Sequence, residues 1–252
     1  MGVLAELDPI ILIACALVLT AGGFVKGVTG FAMPMVVVPL LSSIVDVRFG
    51  LASMVLSIVV TNIWQGIRGG YFWWAAKHFW PVAAGLGAGI WIGANIAVAI
   101  DKNTSFLVLG GVVLFFSAIS HFKPDLHLPE RFEKPVGALA GLTGGISGGL
   151  TSIWGPPMLM FLVARRLEKD AFIGAVGMIY FCGSLFLTFS FAKVEILAED
   201  NVAMSALAVL PVLAGMQVGM WLRDRINQET FRRAVLFTLL LVGLNLIRRG
   251  FF

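Results

Sequence analysis

Charge is scarce in this sequence: 13% of its 252 residues are Asp, Glu, Lys or Arg, while 59% are hydrophobic and the mean hydropathy is +0.94. A soluble core of this size does not need so much apolar surface, so a soluble domain is excluded. Cysteine is almost missing. Cys15 and Cys182 both lie in apolar runs, where they read as small packing residues rather than a disulfide. Nothing resembles a Cys/His metal cluster, and neither a metal nor another cofactor is expected. The three histidines, His78, His121 and His127, fall in or beside loops. Without a His, Ser/His or carboxylate constellation at depth, an intramembrane enzyme has nothing to work with. Asp46, Asp101, Glu168, Asp170, Glu195, Glu199 and Asp200 all sit near segment ends, which leaves no clear mid-membrane carboxylate to carry a coupling proton or sodium ion. No Gly-Lys-Ser/Thr nucleotide loop is present, so ATP does not drive the chain directly. Period-two alternation, the mark of a membrane barrel, is absent too. Met1 to Pro9 holds Glu6 and Asp8 and no basic stretch, so no cleavable signal peptide is expected.

Apolar segments fill the rest. They divide at about 9–25, 28–44, 47–66, 76–100 and 104–121, then at about 135–149, 151–166, 170–192, 201–222 and 231–249. A spanning helix needs about 20 residues. The third, fourth and fifth segments of each set reach that length. The first two of each set are short and are joined by a glycine-rich motif. One helix from 9 to 44 would be about 54 Å long at about 1.5 Å per residue, so the motif must break it.

The two motifs resemble each other. Gly22, Gly23, Gly27, Thr29 and Pro34 recur as Gly144, Gly145, Gly149, Thr151 and Pro156, each 122 positions on. Further along, Pro81, Val82, Ala84, Gly85, Gly89 and Trp91 recur as Pro211, Val212, Ala214, Gly215, Gly219 and Trp221, each 130 positions on. The chain is therefore expected to be one transmembrane domain made of a duplicated unit: a first repeat over about 8–121, a polar linker over 122–134 and a second repeat over about 135–250. The expected fold is an all-α polytopic membrane protein of two repeats, each a broken-helix hairpin plus three spanning helices.

Basic residues orient it. If each short pair enters and leaves on one side, Arg68, Lys77, Lys123, Arg131, Lys134, Arg165, Arg166, Lys169, Arg223, Arg225, Arg232 and Arg233 share a face, against Arg48, Lys102, Lys193, Arg248 and Arg249 on the other. The richer face is expected to be cytoplasmic, with both termini periplasmic and the halves inverted. Two full crossings in place of each hairpin give the same parity.

The motif carries the chemistry. Irregular backbone at membrane depth survives only where protein buries it or it lines a cavity. Pro34 and Pro156-Pro157 suit the first turn of a new helix, and Thr29 or Thr151-Ser152 its cap. Helix N-termini bind anions, and broken helices from two inverted halves are a common transporter arrangement. Lys26 adds a full charge in a block with no carboxylate. Its alternative is snorkelling to an interface or packing against carbonyls. For the glycines the alternative is close helix packing, which a single motif would favour. Two copies with aligned Thr and Pro favour a break. The candidate binding residues are Lys26, Gly27, Thr29, Gly30 and Asn62 in the first half, and Ser147, Gly149, Thr151, Ser152 and Trp154 in the second. Thr61 and Gln65, with Tyr180, Cys182 and Ser184, are candidate polar lining. Trp154 reads equally as gate or as packing. Tyr71-Phe72-Trp73-Trp74 and Trp80 read as an interfacial aromatic belt.

At Gly22–Leu41, with Lys26-Gly27-Val28-Thr29-Gly30-Phe31 and Pro39-Leu40, and at Gly141–Val163, with Gly149-Leu150-Thr151-Ser152-Ile153-Trp154-Gly155-Pro156-Pro157, the sequence resembles the TauE/SafE sulfite exporter family, also called the toluenesulfonate uptake permeases. Ala32-Met33 stands where many members carry a denser glycine run. The resemblance implies a prokaryotic inner-membrane carrier for sulfite, sulfonates, related sulfur oxyanions or small organic acids. The expected partners are a small anion and the bilayer, with no nucleic acid and room for a homodimer. Uptake on the same fold and a non-transporting accessory subunit are the alternatives.

Overall fold

Apolar stretches punctuated by glycine and proline form helices along the whole described chain. The computed structural model describes residues 8–45, 47–68, 70–96, 128–151, 154–193 and 199–251, with scattered helical positions between 104 and 118. Among the described residues there is no strand. The helices are α1 (Pro9–Thr29), α2 (Met33–Ile44), α3 (Val47–Arg68), α4 (Phe72–His78), α5 (Trp80–Ile96), α6 (Glu133–Thr151), α7 (Gly155–Ala164), α8 (Lys169–Lys193), α9 (Glu199–Arg225) and α10 (Gln228–Phe251), with a short 3-10 turn at Glu130–Phe132. By length and composition α1, the Lys169–Phe186 part of α8, the Val202–Arg225 part of α9 and all of α10 can cross a bilayer. Residues 122–127 of the expected 122–134 linker lie outside the described residues.

One expectation needs correction. The first segment is not short: α1 runs unbroken for 21 residues, through Gly22, Gly23 and Gly27, and ends at Thr29. Asp8 starts it by accepting the Ile10 N–H at 2.7 Å, with Pro9 behind the cap. The reason it does not break at the glycines is packing. A Cβ on Gly23 would collide with the carbonyl of Val212, and one on Gly27 with that of Met216. Glycine at those two positions lets the α1 and α9 backbones touch. The chain bends later, at Gly30 with φ 90° and Ala32 with φ 67°. In the second half α6 likewise continues through Gly144, Gly145 and Gly148 to Thr151. The short members are α2 and α7. Their 12 and 10 residues reach about 18 and 15 Å, half a bilayer.

The most extensive helix pairings are α5 with α6 and α1 with α9, followed by α3 with α8. The α1–α9 contacts advance together, Gly23 on Val212 and Gly27 on Met216, so the two helices run the same way. So do α5 and α6, where Gly85 meets Ala138 and Gly89 meets Leu142. Between α3 and α8 the order reverses, with Gln65 at Ile173 and Asn62 at Gly177. The contacts also set a register. Gly27 lies against Met216 and Gly219, and Gly145 against Leu86 and Gly89, the pair 130 positions earlier. By contact, Gly27 matches Gly145 rather than Gly149, and α6 extends about one turn further beyond that contact before it ends.

Two buried apolar clusters hold the bundle. The larger includes Phe79, Leu86, Met158, Leu162, Ile179 and Leu239. The smaller joins Cys15, Leu19, Met33 and Val37 to Met204 and Val212. Large apolar side chains point outward on α1 (Ile10, Ile13, Leu17), α9 (Leu207, Leu210, Trp221) and α10 (Phe237, Leu241). That is the surface lipid requires. Trp73 and Trp80 also face outward, whereas Tyr71 and Trp74 pack edge to face on each other. At one end of the bundle Arg68 pairs with Asp224 at 3.2 Å, Arg223 with Asp170 at 3.8 Å and Arg165 with Glu133 at 2.6 Å. The Lys169 ammonium donates to the Ile226 carbonyl at 3.1 Å, across the α9–α10 corner. Four of the basic residues assigned to one face are thus gathered at one end.

Candidate functional site

The last turn of α1 carries Lys26, and packing of that turn on α9 turns the side chain inward. Lys26 is 3% exposed. Its Nζ donates to Asn62 Oδ1 of α3 at 2.6 Å, and Asn62 is fully buried. Among the described residues no carboxylate pairs with Lys26. The snorkelling alternative is therefore out. An intramembrane cation costs about 2.5–3.5 kcal/mol. The carbonyls at the end of α1 offset about 0.3–1 kcal/mol of that, and Asn62 offers one neutral acceptor. The ammonium is left undercompensated.

The bend beside it is tied down by α3. Gly30 caps α1 in the left-handed region, its N–H donating to the Lys26 carbonyl at 2.7 Å. Thr29 Oγ1 donates to the Val25 carbonyl at 2.8 Å, and the Phe31 N–H reaches Thr29 Oγ1 at 3.4 Å. Gln65, one turn beyond Asn62 on α3, donates from Nε2 to the Gly30 carbonyl at 2.9 Å and to the Ile173 carbonyl of α8 at 3.1 Å. One amide thereby fastens the bend to two other helices. Ala32 then opens α2 without a side-chain cap, and Pro34 takes its first turn as expected. Thr61 bonds back to the Ser57 carbonyl of its own helix.

These contacts redistribute the expected roles. Thr29 closes α1 rather than capping α2. The Gly27 amide lies inside the helix and the Gly30 amide is bonded to Lys26, so the amides of this stretch are engaged within α1. What remains unengaged is on α3. Asn62 Nδ2 and Gln65 Oε1 are both buried and lack a hydrogen-bond partner among the described residues.

The second break differs. Thr151 closes α6, and Gly155-Pro156 opens α7 behind Trp154. Ser152 and the side chain of Thr151 lie outside the described residues, and Gly149 lies within α6. Ser147 Oγ donates to the Gly144 carbonyl at 2.9 Å. Trp154 packs where a Cβ on Gly144 or Gly148 would sit, and its indole edge lies against Gly183 of α8. Gly155 in turn abuts the Tyr180 hydroxyl. Both breaks rest on α8, the first at Ile173 and the second at Tyr180 to Gly183, about 10–15 Å apart along its axis. Among the described residues no hydrogen bond joins them. The structure brings Lys26, Thr29, Gly30 and Asn62 together, and places Ser147 and Trp154 around the other bend. The Ile173 carbonyl escaped sequence reading, since a backbone oxygen gives no residue signal.

No curated protein and no solved structure matches the chain. A family profile described as "Sulfite exporter TauE/SafE" matches residues 14–246, from the first turns of α1 almost to the end of α10 and across both breaks. With its apolar helices and a buried lysine at the first break, the chain belongs to the TauE/SafE sulfite exporter family, a family of membrane transporters.

Proposed function

We propose that this protein is a secondary carrier or facilitator that exports a small oxyanion, sulfite or an organosulfonate, across a bacterial inner membrane. One observation carries the reading: Lys26 is a buried cation with a single neutral partner, beside a helix bend, in a transporter family. An anion entering there supplies the missing counter-charge. Lys26 and Asn62 contact it, and Thr29 and Gly30 hold the bend that presents them. Gly27 lets α1 approach α9 closely enough to bring Lys26 inside. In this reading Ser147, Gly149, Thr151, Ser152 and Trp154 belong to the second break and do not hold the anion. The chain catalyses no covalent step. With the interior negative, the membrane potential favours anion exit by about 2.3 kcal/mol per charge per 100 mV.

The duplicated, inverted organisation belongs to the same proposal. What supports it is the exchange of partners: α1 pairs with α9 and α6 with α5, each in parallel, while α3 and α8 run antiparallel. A two-fold axis in the membrane plane relates such pairs. The arginine-rich end is cytoplasmic under the positive-inside rule, which leaves both termini periplasmic.

The test is flux. Proteoliposomes holding Lys26→Met are expected to lose sulfite or sulfonate efflux by tenfold or more while the protein remains monodisperse. Undiminished efflux removes Lys26 from transport.

A further inference from the structure

We infer that the Lys26 site takes a singly charged anion that brings a hydrogen-bond donor of its own, such as a hydroxylated sulfonate or a sulfur oxyanion that keeps one proton, in preference to a fully deprotonated dianion. The inference rests on the anion reading above and narrows it.

Two side-chain amides have orientations fixed by their neighbours. An ammonium can only donate, so the Asn62 atom that meets Lys26 Nζ at 2.6 Å is the oxygen. The Asn62 NH2 group is therefore the half left over, and among the described residues Nδ2 is buried without a partner. A carbonyl can only accept, so the Gln65 atom shared between Gly30 O and Ile173 O is the nitrogen. The Gln65 oxygen is the half left over, and Oε1 is buried without a partner. Flipping either amide would set like against like. Asn62 and Gln65 are three residues apart on α3, so they share a face of the helix. Both are at most 2% exposed, so bulk water does not serve them.

Beside the bend there is thus one full positive charge, one unused donor and one unused acceptor. A monoanion with a hydroxyl matches that set. Its charged oxygens meet Lys26 and Asn62 Nδ2, and its hydroxyl donates to Gln65 Oε1. A dianion such as sulfate finds a single cation for two charges. It carries no hydrogen for Gln65, so its oxygens face the Gln65 oxygen lone pairs. A sulfonate with an alkyl tail keeps the charge match but leaves Oε1 unpaired.

Isethionate and propane-1-sulfonate separate these terms, since they differ by a terminal hydroxyl against a methyl group of similar size. Affinities of the purified full-length chain for isethionate, propane-1-sulfonate and sulfate are measured by titration calorimetry, in wild type and in Gln65→Met. Isethionate is expected to bind wild type about tenfold or more tightly than propane-1-sulfonate, the scale set by one unmade buried hydrogen bond, with sulfate weaker than isethionate. In Gln65→Met the two sulfonates are expected to converge within about twofold; the readout is the ratio of the two affinities, since losing the Gly30 and Ile173 bonds lowers both alike. Equal binding of the two sulfonates to wild type, or tighter binding of sulfate, overturns the donor requirement and leaves the anion site standing. Absence of binding by all three overturns both readings.

Discussion

The two helix breaks are built on the same plan and filled with opposite chemistry. At the first, the wall of α1 carries Lys26, and α3 answers with Asn62 and Gln65. At the second, the positions facing the bend are Gly144, against the Trp154 carbonyl and Met158, and Gly148, against the Trp154 side chain. Lys26 maps onto Gly148 by motif spacing and onto Gly144 by helix contact, so the lysine has a glycine opposite it under either register. The difference teaches that a helix break in a membrane is only scaffolding. One copy is closed with an aromatic side chain, which needs nothing from a ligand. The other is left with a charge and two unpaired amide atoms, which do.

That comparison can be broken by exchange. The largest effect is expected at the shared scaffold rather than at either filling. Gly27→Leu forces α1 off the Met216 carbonyl, and Gly145→Leu forces α6 off that of Leu86. Each should cost about 3 kcal/mol or more and abolish monodisperse protein in size-exclusion chromatography. If either variant folds normally, the close backbone approach is not what holds the halves. Next in size is Asn62→Asp, which places a carboxylate on the Lys26 ammonium. Anion flux should fall by a hundredfold or so, because a neutralised site no longer needs a ligand charge, equivalent to about 2.7 kcal/mol. The melting temperature should hold or rise, since the buried cation gains a counter-ion. Flux retained by this variant would mean that the charge does not recruit the substrate.

Smaller effects are expected at the second break. Trp154→Phe keeps an aromatic filling against Gly148, so flux should stay within about twofold while stability drops by about 1–2 kcal/mol. A hundredfold loss of flux would make Trp154 a gate rather than a filling, and the contrast between the breaks would fail. The smallest effect belongs to the backbone. Ala32 adopts φ 67°, a left-handed conformation that favours glycine. Ala32→Gly should stabilise the protein by up to about 1 kcal/mol, read as a modest rise in melting temperature. A fall would show that the alanine methyl group packs better than the bend is strained.

Much of the fold was legible because a bilayer leaves few options. Apolar runs of spanning length become helices, and glycine, threonine and proline at matching spacing mark two interruptions. Lys26 was legible for the same reason, as a lone charge in an apolar block without a carboxylate. The position of the bend was not. Glycine serves both to turn a chain and to let helices touch, and only the partner decides which. Gly23 and Gly27 touch because Val212 and Met216 come to lie beside them, and those partners are far along the chain. The bend fell instead on Gly30 and Ala32, the second of which is not a residue type that announces a left-handed turn. Gln65 was visible as polar lining. Its role as a fastener of the bend depends on two carbonyl oxygens, at Gly30 and Ile173, that no side-chain pattern encodes.

The central claim is that the first break, and not the second, holds the anion through its buried ammonium. Saturation binding of radiolabelled sulfite to the purified chain tests it most directly, compared across wild type, Lys26→Met and Trp154→Phe. The account predicts a saturable site in wild type and Trp154→Phe that disappears in Lys26→Met. Unchanged sulfite binding by Lys26→Met would contradict it.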